Sequence, residues 1–169
     1  MSYVVAIDVG VKNLSLCVYD FLCNQVVHWA NVSLTHGRYL PAHNVQYVRD
    51  FVNSQRRYFD GASMVVVERQ MRCNMRIIES VLQTLFFDRC VVISPRSVKA
   101  HYGLSTRNYR ANKVKAVEWA QLFVANNPTI FANSTSDTFV GSRKKDDLAD
   151  SLLLVMYYLD TYSNQIPHS

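Results

Sequence analysis

The feature that most constrains this chain is Met64-Val65-Val66-Val67-Glu68, an unbroken apolar run that stops on an acid. Three consecutive valines suit a strand covered on both faces, the kind found inside a sheet with helices on each side. A carboxylate directly after such a run is costly to bury unless something compensates it. Near the start, Tyr3-Val-Val-Ala-Ile7 is a second short apolar run, followed by Asp8 and Gly10. If the two strands are parallel neighbours, Asp8 and Glu68 emerge at one edge of the sheet. That edge, at the carboxyl ends of the strands, is where open α/β sheets place ligands and catalytic groups.

The rest of the chain supplies the sheet and its cover. Leu14–Tyr19 alternates, and Gln25–Leu34 is valine-rich around Trp29, so an antiparallel meander follows from the short gaps. Helical spacing then appears at Val45, Val48 and Val52, at Met75, Ile78, Leu82 and Leu85, and at Val114, Val117 and Val124. A last helix carries Leu148, Leu152, Val155 and Leu159 on one face. Cys90–Ile93 is predicted as a further buried strand, stopped by Ser94-Pro95, and the polar run Asn133–Ser142 as a loop, ordered only on binding. A right-handed crossover lays the fourth strand beside the first. The expected fold is α/β: a five-stranded mixed sheet of order 3-2-1-4-5 flanked by helices, an arrangement similar to that of ribonuclease H. At 169 residues, with 49% hydrophobic and 18% charged residues, one globular domain over 1–169 is expected.

Two more acids complete a constellation. Asp147 and Asp150 are three apart at the start of the last helix and share a face distinct from that of Leu148 and Leu152. Asp146 is either a first-turn cap or an alternative to Asp147. Clustered carboxylates repel unless a cation lies between them. Mg²⁺ suits hard oxygen ligands, and two such ions roughly 3.5–4 Å apart can serve phosphodiester hydrolysis. Taken singly, Asp147 and Asp150 read as helix-dipole partners; Glu68 has no comparable structural excuse.

Charge points to the same class of partner. Lysine and arginine outnumber acids 18 to 13, a net charge of +5, which favours polyanions. From Arg96 to Lys115 there are six basic residues (Arg96, Lys99, Arg107, Arg110, Lys113 and Lys115) and no acid, a block suited to phosphate contacts or to a solvated helix face. Lys12, Arg69, Arg72, Arg76 and Lys144 lie near the acids in sequence and are further candidates for the DNA backbone. Tyr102, Tyr109 and Phe139 are candidates for base stacking, with core packing as the competing role; Trp29 and Trp119 read as core. The four cysteines have no C-x-x-C pair, so neither zinc nor redox chemistry is expected, and Cys17 and Cys90 read as buried thiols. No apolar run has membrane-spanning length, and no targeting leader is visible.

The segments quoted above resemble Holliday junction resolvases of the RuvC-like class, above all the poxvirus and iridovirus resolvases and the yeast mitochondrial cruciform-cutting endonucleases. Ala6-Ile-Asp-Val-Gly-Val-Lys-Asn-Leu14 is similar to their first motif, Val67-Glu-Arg-Gln70 to the second and Lys144-Lys-Asp-Asp-Leu-Ala-Asp-Ser-Leu152 to the last. Ser94-Pro-Arg-Ser-Val-Lys99 and Asn112-Lys113 are similar to the segment bearing catalytic lysines. The resemblance implies a homodimer that cuts opposing strands of a four-way DNA junction, using two Mg²⁺ ions (Mn²⁺ able to substitute) on Asp8, Glu68, Asp147 and Asp150. It gives Lys99 the scissile phosphate or attacking water, and leaves Lys113 and Lys115 as alternatives for a second lysine. A viral protein acting in the cytoplasm of the infected cell is expected, with the mitochondrial matrix as the alternative location. The rival activity is a ribonuclease H-like nuclease acting on RNA–DNA hybrid or structured RNA.

Overall fold

In the computed structural model, which describes residues 2–132 and 135–162, a mixed sheet is wrapped by helices on both faces. Strands β1 (Tyr3–Asp8), β2 (Leu14–Asp20) and β3 (Gln25–Val32) form the antiparallel meander. Strands β4 (Ala62–Glu68) and β5 (Cys90–Ile93) add in parallel, giving the order β3-β2-β1-β4-β5. This is the ribonuclease H-like sheet expected from the sequence.

The period-two alternation of strands divides the core into two layers. On one face Tyr3, Val5, Ile7, Val65 and Val67 pack under α1 (Asn44–Ser54), the short α2 (Arg56–Phe59) and α3 (Cys73–Leu85). On the other, Val4, Ala6, Cys17, Trp29 and Val66 meet α4 (Pro95–His101), α5 (Tyr109–Asn126), α6 (Thr135–Gly141) and α7 (Lys145–Tyr162). Helix α7 is the central strut of that layer: Leu148, Leu152 and Val155 are fully buried and Leu159 packs at the margin.

Several local expectations are corrected. The polar run read as a loop contains helix α6; Asn133 and Ser134 lie outside the described residues. One aromatic side chain holds α6 in place. Phe139 is buried and stacks on Trp29, with ring centroids 4.8 Å apart. Strand β5 is an edge strand with only Ile93 buried, and Cys90 is half-buried rather than core. Helix α5 buries Ala116 and Ala120, while Val114 faces solvent. Helix α4 was not anticipated, although Ser94-Pro95 carries its signature: the Ser94 hydroxyl accepts from Arg96 N at 3.3 Å and Pro95 takes the first turn.

Candidate active site

Register brings the first two acids together. Ala6 lies opposite Val66 and Ile7 opposite Val67, so Asp8 and Glu68 end adjacent parallel strands at one level. Val4, Ala6 and Val66 point toward α7. Asp8 and Glu68 keep that parity and face the same way. They meet Asp150 from α7 and Lys99 from α4, and with Asp147 these residues line one cleft of about 500 Å³.

The electrostatics follow from the crowding. Burial and the negative charges of Glu68, Asp150 and Asp147 hold the Asp8 carboxyl well above its usual range. Burial, then Asp150, push Glu68 up to about 7. Asp8 and Glu68 act on each other directly and titrate as a linked pair, the contact raising Asp8 and offsetting part of the rise in Glu68. Burial also raises Asp150, against the opposing pull of Lys99. Lys99 Nζ lies 3.2 Å from Asp150 Oδ1, both side chains nearly enclosed. Burial pulls the Lys99 ammonium down, but Asp150, Glu68 and Asp8 outweigh it and hold it above the ordinary lysine value. Lys99 is therefore a fixed positive charge at neutral pH.

The two consecutive acids of α7 have different surroundings. Asp147 lines the cleft, and burial together with Asp146 raises it. Asp146 instead receives Lys113 Nζ at 2.5 Å, and this ion pair lowers its carboxyl despite partial burial. Lys12, Arg72, Lys113 and Lys144 also line the cleft. Lys115 and Arg69 are exposed and lie outside it, and Arg76 lines a separate apolar groove with Val45, Met71 and Ile77.

Three supports position the acids, and among their members Glu79, Ser15 and Ser151 were not singled out by the sequence reading. Glu79 of α3 is buried and accepts from Gln70 N at 2.6 Å. Gln70 in turn donates Nε2 to Glu68 O at 3.0 Å, with Glu68 Oε2 at 3.5 Å, so Glu79 fixes the turn that follows Glu68. Under α7, the Ser151 hydroxyl contacts Leu148 O at 2.9 Å and Ser15 Oγ at 2.6 Å. Trp29 Nε1 donates to Leu148 O at 3.0 Å and to Ser151 Oγ at 3.3 Å. Since Ser15 pairs opposite Asp8 in the sheet, this network ties the residue after Asp150 to the strand beside Asp8. The third support is the turn after β1. A Cβ at Gly10 would come within 2.5 Å of Asn13 O, so only glycine allows the chain to fold back so tightly beside Asp8. A serine within an apolar helix stretch was the one sequence signal for the Ser15–Ser151 contact; the Gln70–Glu79 contact had none.

The donors fit a hard divalent cation. They are all carboxylate oxygens, and no directed hydrogen bond reaches the buried Asp150 Oδ1 despite its ion pair with Lys99. Among the described residues no three acids are gathered closely enough to form a finished metal cage. Lys99 offsets part of the repulsion among the carboxylates, and a cation held between them would offset the same repulsion further.

Comparison with known proteins follows the same lines. A family model described as Poxvirus A22 protein matches residues 2–161. Comparison with curated protein sequences gives no match. Among solved structures, the chain is similar to the fowlpox virus resolvase in complex with substrate Holliday junction DNA, at 17% identity and a TM-score of 0.70, covering 94% of this chain and 97% of that one. It is similar to the yeast mitochondrial Holliday junction resolvase Ydc2 at 18% identity and TM-score 0.68, over 96% and 86% of the two chains. For RuvC of Thermus thermophilus in complex with a Holliday junction substrate, the values are 16%, 0.58, 96% and 98%. At these identities the likeness establishes the fold, while the family match extends over nearly the whole sequence: the chain belongs to the poxvirus A22 protein family.

Proposed function

We propose that this protein is a metal-dependent endonuclease that resolves four-way DNA junctions. The observation that carries the reading is the meeting of Asp8, Glu68, Asp147, Asp150 and Lys99 in one cleft, on a fold shared with structures of junction resolvases. Asp8, Glu68, Asp147 and Asp150 would hold Mg²⁺, or Mn²⁺ in its place, as two ions per site. Bound there, the metal supplies Lewis acidity toward the scissile phosphate and lowers the pKa of water.

The protein's own groups do the rest. Glu79, Gln70 and the Ser15–Ser151–Trp29 network hold the carboxylates so that little reorganisation accompanies reaction. Lys99, kept protonated by its acidic neighbours, offsets charge accumulating on the phosphate oxygens, and hydrolysis leaves a 5′-phosphate and a 3′-hydroxyl. Lys12, Arg72, Lys113 and Lys144 take flanking backbone phosphates at the cleft rim. Arg69, Arg76 and Lys115 lie outside that cleft and take no phosphate in this reading.

Cutting opposing strands symmetrically needs two sites, hence a homodimer of this single nuclease domain. Exposed Met71, Ile77, Leu85 and Phe87, on and around α3, form the apolar face suited to that contact. No helix among the described residues is long and apolar enough to cross a membrane. The poxvirus A22 family match supports a viral protein, with the cytoplasm of the infected cell as its proposed site of action.

The test is a substrate comparison in Mg²⁺. A mobile four-way junction should be cut in paired, opposed strands, while plain duplex and RNA–DNA hybrid stay intact. Preferential cutting of the hybrid would replace this reading with a ribonuclease H activity.

A further inference from the structure

A second groove, of about 570 Å³, opens directly off the catalytic cleft. The two share Pro95, Lys99 and Tyr109, so a chain lying across one continues into the other. Their charge differs. Four carboxylates line the cleft against Lys12, Arg72, Lys99, Lys113 and Lys144. The groove is lined by Arg96, Lys99 and Arg107 and by no acid. Among the described residues neither Arg96 nor Arg107 has a carboxylate partner.

The groove wall is built rather than loose. Thr106 N and Oγ1 both donate to Asn112 Oδ1, at 2.8 and 2.6 Å, and Asn112 Nδ2 returns a bond to Thr106 O at 3.2 Å. Asn108 caps α5 by accepting from Arg110 N and Ala111 N. Buried Leu104 anchors the other end of this loop. Arg107 is thus carried on a segment whose backbone is already ordered, which lowers the entropy lost on binding. Tyr109 stands at the junction of the two spaces, 69% exposed as a residue, with Lys113 Nζ 5.5 Å from its ring centroid.

The geometry points to a phosphate-tracking subsite for the cut strand: Arg96 and Arg107 bind backbone phosphates within a few nucleotides of the scissile one, and Tyr109 supports the nucleotide between. This rests on the nuclease reading above, and it divides the basic block of the sequence by role. Arg96 and Arg107 serve the groove, Lys113 the cleft, Lys99 lies where the two meet, and Arg110 and Lys115 line neither.

The test is a linkage scan. Junction DNA carrying one neutral methylphosphonate at successive positions around the cut is bound by the parent, by Arg96→Ala/Arg107→Ala and by the control Arg110→Ala/Lys115→Ala. All four positions are exposed, so unchanged melting temperatures verify folding. Neutralising a groove phosphate should weaken parent binding about tenfold, as loss of a charged hydrogen bond does. It should leave the Arg96/Arg107 variant unaffected, and the control should respond like the parent. The groove variant should also reduce the salt slope of log K by about 2, and Tyr109→Ala should lose fluorescence quenching of a 2-aminopurine placed beside the cut. If the variant and the neutral linkages weaken binding independently at every position, the groove assignment falls while junction cleavage by the parent still stands. If the parent fails to cut the junction, the nuclease reading falls, and the binding scan still decides the groove.

Discussion

Asp8→Asn is expected to stabilise the protein at pH 8 in the presence of a chelator, although it removes a residue at the centre of the site. The folded state holds Asp8 and Glu68 above their usual carboxyl range, so it binds protons more tightly than the unfolded chain. For Glu68 that contribution is fully present below its ordinary value of 4.5 and is lost as pH rises through about 7. For Glu68 alone, a rise from 4.5 to about 7 costs on the order of 3 kcal/mol once the group is ionised. Asparagine would remove the like charge beside Glu68 and offer it an amide donor. Part of the Glu68 shift is burial and persists, so the expected gain is about 1–2 kcal/mol, or roughly 3–8 °C for a chain of this size. Circular-dichroism melts in EDTA from pH 4.5 to 8.5 measure it. The gain should appear at pH 8 and vanish at pH 4.5, and Mg²⁺ should raise the melting temperature of the parent more than that of the variant. A variant that melts no higher at pH 8, or is shifted equally at both ends, would refute the electrostatic argument.

Further outcomes follow from individual contacts. Glu79→Gln should lower kcat several-fold with KM near that of the parent, because it loosens the turn behind Glu68 without touching DNA; an equal fall with a matching rise in KM would make the residue part of the binding surface instead. Phe139→Ala should cost about 3–5 kcal/mol in urea unfolding through loss of the Trp29 stack, and a cost under 1 kcal/mol would mean that α6 is held by something else. Lys99→Met should slow single-turnover cleavage by about 100-fold, with Lys99→Arg recovering part of it, and a flat pH response of Lys99 itself between 6 and 9; parent-like rates in Lys99→Met would remove the lysine from the reaction.

The sheet was legible because its signals are local. Alternation at Leu14–Tyr19 and the valine run before Glu68 each state a strand and its faces, and the order of elements leaves few topologies. The same strand parity that builds the core aims Asp8 and Glu68 at α7. Helix α6 was not legible, because seven polar-rich residues are held by one long-range stack on Trp29. The difference between Asp146 and Asp147 was equally hidden: it depends on Lys113, which is 33 residues away in sequence. The division of the basic block into cleft, groove and outer surface depends on how the α4–α5 loop is pinned, and composition carries no trace of that.

In the proposed function, the carboxylates brought together by β1, β4 and α7 act as one metal-dependent cutting site. Asp150→Asn tests it most directly, with cleavage of a labelled four-way junction followed on a denaturing gel across a Mg²⁺ titration and junction binding measured in parallel. The expected result is paired incisions in opposing strands by the parent, dependent on Mg²⁺, and at least a 1,000-fold loss in the variant with binding retained, as removal of a group acting on the transition state produces. Cleavage by Asp150→Asn at the parent's rate, or by the parent in EDTA, would contradict it.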